Sequence, residues 1–216
     1  MSLFVTFEGP DGSGKTTQIH LLHSYLKELG YPVCQTREPG GTSIGDQIRQ
    51  VLHATTNTEM RSTTEILLYS ASRAQLVKEV ILPALAAGQI ILCDRYAEST
   101  LAYQGYGRRL DLDTLQAITS FATGGLRPDL IIYLDISAEE GLHRKRRAFE
   151  TEEAEWNRMD QETVDFHRRV REGYLHLAKE EPDRWLIVDA RQPVEAVQQR
   201  IREKVLALLS SGISAP

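Results

Sequence analysis

Gly9, Gly14, Lys15 and Thr16 stand at the spacing G-x-x-x-x-G-K-T, with Pro10, Asp11, Gly12 and Ser13 between the fixed positions. This is the phosphate-binding P-loop pattern, and its context is complete: an apolar β-rich run, Leu3 to Phe7, precedes it and a helical pattern follows. Glycines at 9, 12 and 14 let the backbone turn tightly and aim successive N–H groups inward. Those amides, with the N-terminus of the following helix, make a cradle for phosphate oxygens. Lys15 adds a cation for the β- and γ-phosphates, and Thr16 a hydroxyl for Mg2+. A nucleoside triphosphate is the expected ligand.

Other candidates lie further along the chain. Asp94 closes the apolar run Ile90 to Cys93, the Walker B form, and its carboxylate can act on Mg2+ directly or through water. Arg95 follows at the same edge. Arg37 begins the Pro- and Gly-rich stretch Arg37-Glu38-Pro39-Gly40-Gly41-Thr42. It can grip a phosphate bidentately, or form a solvent-facing turn with Glu38; the residues alone leave both open. Tyr69 and Arg73 are one helical turn apart, which suits a flat base, although spacing alone favours a core tyrosine and a surface arginine. Thr100, Tyr103 and Gln104 fall in a polar, glycine-containing stretch without apolar period, either a substrate wall or an ordinary loop. Arg144, Lys145, Arg146 and Arg147 form either a solvated helix face or a lid that closes over phosphates.

The elements that must position these groups follow from periodicity. Apolar residues recur at helical spacing over 15–29, 44–52, 63–87, 112–122, 138–148, 159–178 and 193–209, with Pro83 expected to kink the third. Strands are expected at 3–7, 31–35, 90–93, 130–134 and 185–188. Five strands alternating with helices imply α/β architecture: a P-loop NTPase fold of three α/β/α layers around a five-stranded parallel sheet. Residues 1–210 read as one domain, with a small lid at about 144–158 whose acidic part, 149–156, suits a mobile flap; residues 211–216 read as a frayed tail.

Composition narrows the function classes. With 216 residues, 41% hydrophobic and 25% charged, the chain has the balance of an ordinary soluble globular protein. A net charge of -5 argues against a nucleic-acid footprint, but leaves room for a local basic pocket. Cys34 and Cys93 read as buried small hydrophobes, which fits a reducing cytoplasm. No signal pattern or membrane-spanning apolar run is present, and the six histidines are scattered and assigned no chemistry. An Asn-Lys-x-Asp stretch, the mark of a guanine switch, is missing. A small-molecule kinase needs a second polyanion site and extra cations, which Arg37, Arg73, Arg95 and the 144–147 cluster supply.

The fragments Phe7-Glu-Gly-Pro-Asp11-Gly-Ser-Gly-Lys-Thr-Thr-Gln18, Thr36-Arg-Glu-Pro-Gly-Gly-Thr42, Leu68-Tyr-Ser-Ala-Ser-Arg73, Asp94-Arg-Tyr96, Ala102-Tyr-Gln-Gly105, Tyr133-Leu-Asp135 and Arg158-Met159 occur in an order that resembles the thymidylate kinase family over essentially the whole chain. The resemblance implies ATP + dTMP → ADP + dTDP with Mg2+, in a homodimer formed through the helices of the 44–87 region. It implies that Gly9 to Thr16 hold the ATP phosphates, and that Thr16, Asp94 and Asp11 place the metal. Asp11 would also accept from the sugar 3′-hydroxyl. Arg37 and Arg95 would hold the dTMP phosphate, Tyr69 would stack on thymine, and Arg73 would bond O4. Thr100 and Gln104 would meet the base edge, and Tyr103 would crowd the 2′ side of the sugar. The stacking position is more often Phe in the family; Tyr keeps the π face. Some members carry a catalytic arginine where this chain has Gly12, so the resemblance moves that role to the lid, with Arg144 and Arg146 the best matches beside Lys15 and Arg95. The alternatives are another deoxynucleoside or nucleoside monophosphate kinase, and a P-loop switch ATPase.

Overall fold

The computed structural model describes residues 2–211. In chain order the elements are β1 (Leu3–Glu8), α1 (Lys15–Glu28), β2 (Val33–Arg37), α2 (Ser43–His53), α3 (Ser62–Leu76), α4 (Leu82–Ala86), β3 (Ile90–Asp94), α5 (Ala97–Thr100), α6 (Leu112–Thr123), β4 (Leu130–Asp135), α7 (Ala138–Glu150), α8 (Val164–Glu180), β5 (Trp185–Asp189) and α9 (Val194–Ser210). The strands form one parallel sheet in the order β2-β3-β1-β4-β5. Near-continuous apolar strands such as Leu3–Glu8, buried at every position, are what a sheet covered on both faces requires. One face packs Leu3, Val5, Phe7, Ile90 and Ile132 against Ile19, Leu22, Leu26, Ile201 and Val205 of α1 and α9. The other packs Phe4, Ile91 and Cys93 against α3 and the turn after it, and Ile131 and Tyr133 against Phe166, Val170 and Tyr174 of α8.

The strand order reverses at β1, whose neighbours β3 and β4 send the chain to opposite sides. Such a switch point opens a crevice at the carboxyl edge. Register then decides what meets there: Arg37 pairs with Asp94, and Asp94 with Phe7, so β2 and β3 deliver their last residues to the rim where β1 ends.

Four local expectations are corrected. The second strand starts at Val33 and reaches Arg37, so Arg37 is held by strand geometry. The 63–87 pattern is helical, but it widens to a π-helix at Val77–Ile81, just before Pro83. The polar stretch 99–109 is not a loop: α5 runs into a π-helix over Leu101–Gly107. Its wider turns hide its buried residues from a 3.6-residue template, and Gly107 lets Phe166 of α8 approach, where a Cβ would come within 2.6 Å of the ring. The 159–178 pattern is a 3-10 turn, Arg158–Gln161, followed by α8, whose N-cap Thr163 accepts from the N–H of Phe166. Of the tail, Ser211 is the C-cap of α9, and residues 212–216 lie outside the described residues.

Candidate functional site

Residues from β2, β3, α1, α2, α3, α5 and α7, with the loop after β1, converge on a cavity of about 510 Å3 at the sheet's carboxyl edge. Gly9, Gly12 and Gly14 have φ of 142°, 79° and 89°. No side chain caps α1, whose N-cap is Gly14, so its first-turn amides keep their donor capacity for an anion. Lys15 is buried and donates to the carbonyls of Gly9 and Pro10, each at 3.0 Å. Burial, with the Arg95 cation nearby, lowers its ammonium to about 8. Thr16 Oγ1 donates to Asp94 Oδ2 at 3.4 Å, so the predicted pair of oxygen ligands meets at one place.

Arg95 occupies φ 68°, a left-handed conformation that bulky residues avoid. Surrounding bonds hold it there: Nη2 donates to Asp11 Oδ1 at 3.0 Å and to Tyr103 Oη at 3.2 Å, and Nη1 to Ser99 Oγ at 3.3 Å. Its guanidinium lies over the Tyr103 ring, 5.0 Å from the centroid. Burial opposes ionisation of Asp11, but Arg95, Lys15 and Lys145 outweigh it and hold its carboxyl well below the usual carboxylate range. Behind Arg95, buried Glu8 accepts from Tyr96 N–H, Ser99 Oγ and Tyr174 Oη. Burial pushes its carboxyl up, against Arg95. Glu8 escaped the sequence reading; the only signal was an acid closing a strand of buried residues.

The far wall is made by α3 and the α5–π segment. Arg73 is 1% exposed, so the expectation of a surface arginine is corrected. It donates from Nε to Glu38 Oε2, from Nη1 to Thr100 Oγ1 and from Nη2 to the Tyr96 carbonyl, at 2.8 to 2.9 Å. Glu38, with burial raising it and Arg73 lowering it, reaches about 7. Tyr69, Arg73, Thr100, Tyr103 and Gln104 all line the cavity. Burial, with Glu65 next in effect, pushes the Tyr69 phenol up to about 12, so the ring is neutral at every working pH. Arg37 reaches the cavity at the opposite rim, half-exposed, donating to Asp46 Oδ1 at 2.9 Å.

The 144–158 segment is split by its own geometry. Arg144 and Lys145 line the cavity; Arg144 donates to Glu140 Oε1 and to the Ala190 carbonyl. Lys145 Nζ is 3.9 Å from Asp160 Oδ2. Arg146 does not line the cavity but is exposed and stacks on Trp156 at 5.5 Å. Asp160, missed in the sequence, is buried, and burial with Asp11 nearby raises it to about 7. Across the cavity mouth, Glu155 accepts from Arg49 Nη2 at 3.1 Å and sits 3.7 Å from His53. Gly12 explains the absence of a loop arginine. A Cβ there would sit 2.4 Å from the Gly141 carbonyl and 3.1 Å from Arg144 Cβ, because α7 packs directly on the loop.

Among the described residues, no three His, Cys, Asp or Glu cluster as a metal cage, and no helix is long and apolar enough to cross a membrane. The arrangement offers one anion cradle at the P-loop, a second set of cations at Arg37 and Arg95, and an aromatic wall with hydrogen-bonding groups beyond. A phosphoryl group could pass between two ligands held this way.

Comparison with known proteins follows the same line. A family profile described as Thymidylate kinase matches residues 7–201. The thymidylate kinase of Roseiflexus castenholzii is 55% identical, covering 98% of this chain and 96% of its own. That of Thermomicrobium roseum is 49% identical over 100% of both. The crystal structure of thymidylate kinase from Ehrlichia chaffeensis superposes with a TM-score of 0.75 at 31% identity, covering 94% of this chain and 98% of that one.

Proposed function

This chain belongs to the thymidylate kinase family and phosphorylates dTMP to dTDP, and from that premise we propose that ATP on the P-loop is the donor and that dTMP fills the Arg37–Arg95–Tyr69 side of the cavity. The observation that carries this reading is the Arg95–Asp11 pair, which joins the donor loop to the acceptor side at 3.0 Å. Gly9 to Thr16 bind the ATP phosphates, with Lys15 turning from the loop carbonyls to the β- and γ-oxygens. Arg37 and Arg95 hold the dTMP phosphate, already anionic, so no general base is required. Tyr69 stacks on the base, Arg73, Thr100 and Gln104 meet its edge, and Tyr103 bounds the sugar. Asp11 keeps Oδ2 to accept from the 3′-hydroxyl, because Arg95 takes Oδ1.

Thr16 and Asp94 form an all-oxygen pair that suits Mg2+, which keeps several waters and binds mainly through substrate phosphates. When bound, the ion neutralises charge on the β- and γ-phosphates; Asp11 supports it from the loop. We assign the transition-state cations to Lys15, Arg95, Arg144 and Lys145, with Arg146 delivered when the lid, 144–158, moves and frees it from Trp156. Residues 1–210 act as one domain. A homodimer is supported by Ile44 and Val51 of α2, Leu67 of α3 and Phe121 of α6, all exposed on helices that pack beside one another. The free cysteines, Cys34 and Cys93, suit a cytoplasmic enzyme.

Calorimetric titration tests the partition of ligands. Arg37→Ala should weaken dTMP binding and leave ATP binding unchanged; Lys15→Ala should do the reverse. Equal loss of both ligands in Arg37→Ala would contradict it.

A further inference from the structure

Glu65 lies in α3 one turn before Tyr69 and is 1% exposed. Its carboxylate takes four hydrogen bonds. Gln104 Nε2 donates to Oε1 at 2.8 Å, Arg108 Nε to Oε1 at 3.2 Å, Arg108 Nη2 to Oε2 at 3.0 Å, and Arg158 Nη2 to Oε2 at 2.5 Å. Two guanidinium groups therefore surround it. Burial opposes its charge, but Arg108, Gln104 and Arg158 outweigh burial and hold the carboxyl below its ordinary value.

An ionised carboxylate accepts and never donates. The amide orientation of a glutamine is ordinarily an assignment, but here chemistry decides it. The nitrogen of Gln104 must face Glu65, and the oxygen must face away. Gln104 lines the cavity beside Tyr69, Arg73 and Thr100, and no described residue donates to its Oε1. One N–H of Arg73 Nη1 also remains beyond the bond to Thr100. The wall thus presents a fixed acceptor and a fixed donor.

We propose that Glu65 is a specificity-determining positioning residue: by taking one amide N–H of Gln104 it fixes the amide oxygen as an acceptor in the base pocket, which selects a pyrimidine with an N3–H beside a 4-carbonyl and rejects one with an N3 lone pair beside a 4-amino group. The inference rests on the reading of dTMP as the ligand of this wall. Thymine carries a carbonyl at position 4 where cytosine carries an amino donor. A cytosine base would set its N3 lone pair against Oε1 and its amino group against Arg73. Without Glu65 the amide can turn over and offer a donor instead.

The test is calorimetric measurement of dissociation constants for dTMP and dCMP on the wild-type chain and Glu65→Gln. Wild type should bind dTMP; failure to do so would overturn the dTMP reading itself and the inference with it. In Glu65→Gln the preference for dTMP over dCMP should fall about tenfold or more, the scale of one oriented hydrogen bond gained or lost in a dry site. A merely structural role would weaken both ligands in parallel and leave the preference unchanged, which would overturn the inference. If Glu65→Gln does not fold, Glu65→Asp keeps the charge that both arginines need while withdrawing the carboxylate from Gln104, and the same fall is expected. In a Gln104→Leu background the Glu65 substitution should cause no further change in preference; a full additive change would contradict action through Gln104.

Discussion

Lys15 shows how much a single residue can be asked to do. Its ammonium lies near 8 because burial and Arg95 disfavour charge. Only the protonated form can hold phosphate oxygens. The kcat/KM for ATP, which reports the free enzyme, should therefore fall as pH rises through about 8. The kcat profile should break at higher pH, since bound phosphates favour the ammonium. A flat kcat/KM from pH 7 to 9 would contradict this. Tyr103 makes a second residue-scale prediction: Tyr103→Ala should raise kcat/KM for UMP relative to dTMP by about tenfold, read in a coupled assay, because the ring no longer crowds the 2′ position. An unchanged ratio would remove that role. Lys15, Asp94 and Arg95 were legible because they follow buried runs in a fixed pattern. Arg73 was named as a candidate, but its burial was not legible: only the structure shows that Glu38, Thr100 and Tyr96 together satisfy a guanidinium buried this deeply. Glu8 was illegible for the same reason, since Ser99 and Tyr174 lie far along the chain, whereas Asp160 stands in an Asn157–Asp160 capping box, a local pattern the sequence does carry.

Between elements, the contact of α7 with the P-loop is the most sensitive joint. Gly12 has φ 79° and would place a Cβ 2.4 Å from the Gly141 carbonyl. Gly12→Ala should cost about 1 kcal/mol or more from the left-handed backbone alone, and further by pushing α7 away. Thermal melting should show the loss of stability, and kcat should fall more than KM for dTMP rises, because Arg144 and Lys145 ride on α7. Full retention of kcat would contradict a fixed lid base. Sequence periodicity recovered the long helices well. It failed at the π-helix over Leu101–Gly107, where widened turns carry Tyr103 and Gln104 to the cavity with no 3.6-residue signature. It also could not separate Arg146 from Lys145. Four consecutive cations point in all directions around a helix, and only the packing of α7 decides that Lys145 faces inward while Arg146 meets Trp156.

At the scale of the molecule, one sheet edge gathers the carboxyl ends of β1, β2 and β3, and the parallel order behind that edge was readable from the alternation of strands and helices. Association was less readable, since a helix period cannot tell an interface from a core. Phe121 is 91% exposed and extends the apolar face of α2 and α3 onto α6. The proposed homodimer predicts that Phe121→Glu with Leu67→Glu shifts sedimentation from dimer to monomer without unfolding the chain; a wild-type chain that sediments as a monomer would contradict the dimer, and a double variant that stays dimeric would contradict this interface. The meeting of donor and acceptor at Asp11 and Arg95 is tested most directly by ADP release against a panel of acceptors. Release should depend on dTMP, weaken with dUMP, and be absent with thymidine, which lacks the phosphate for Arg37 and Arg95. ADP released without an acceptor, or equally with thymidine, would contradict it.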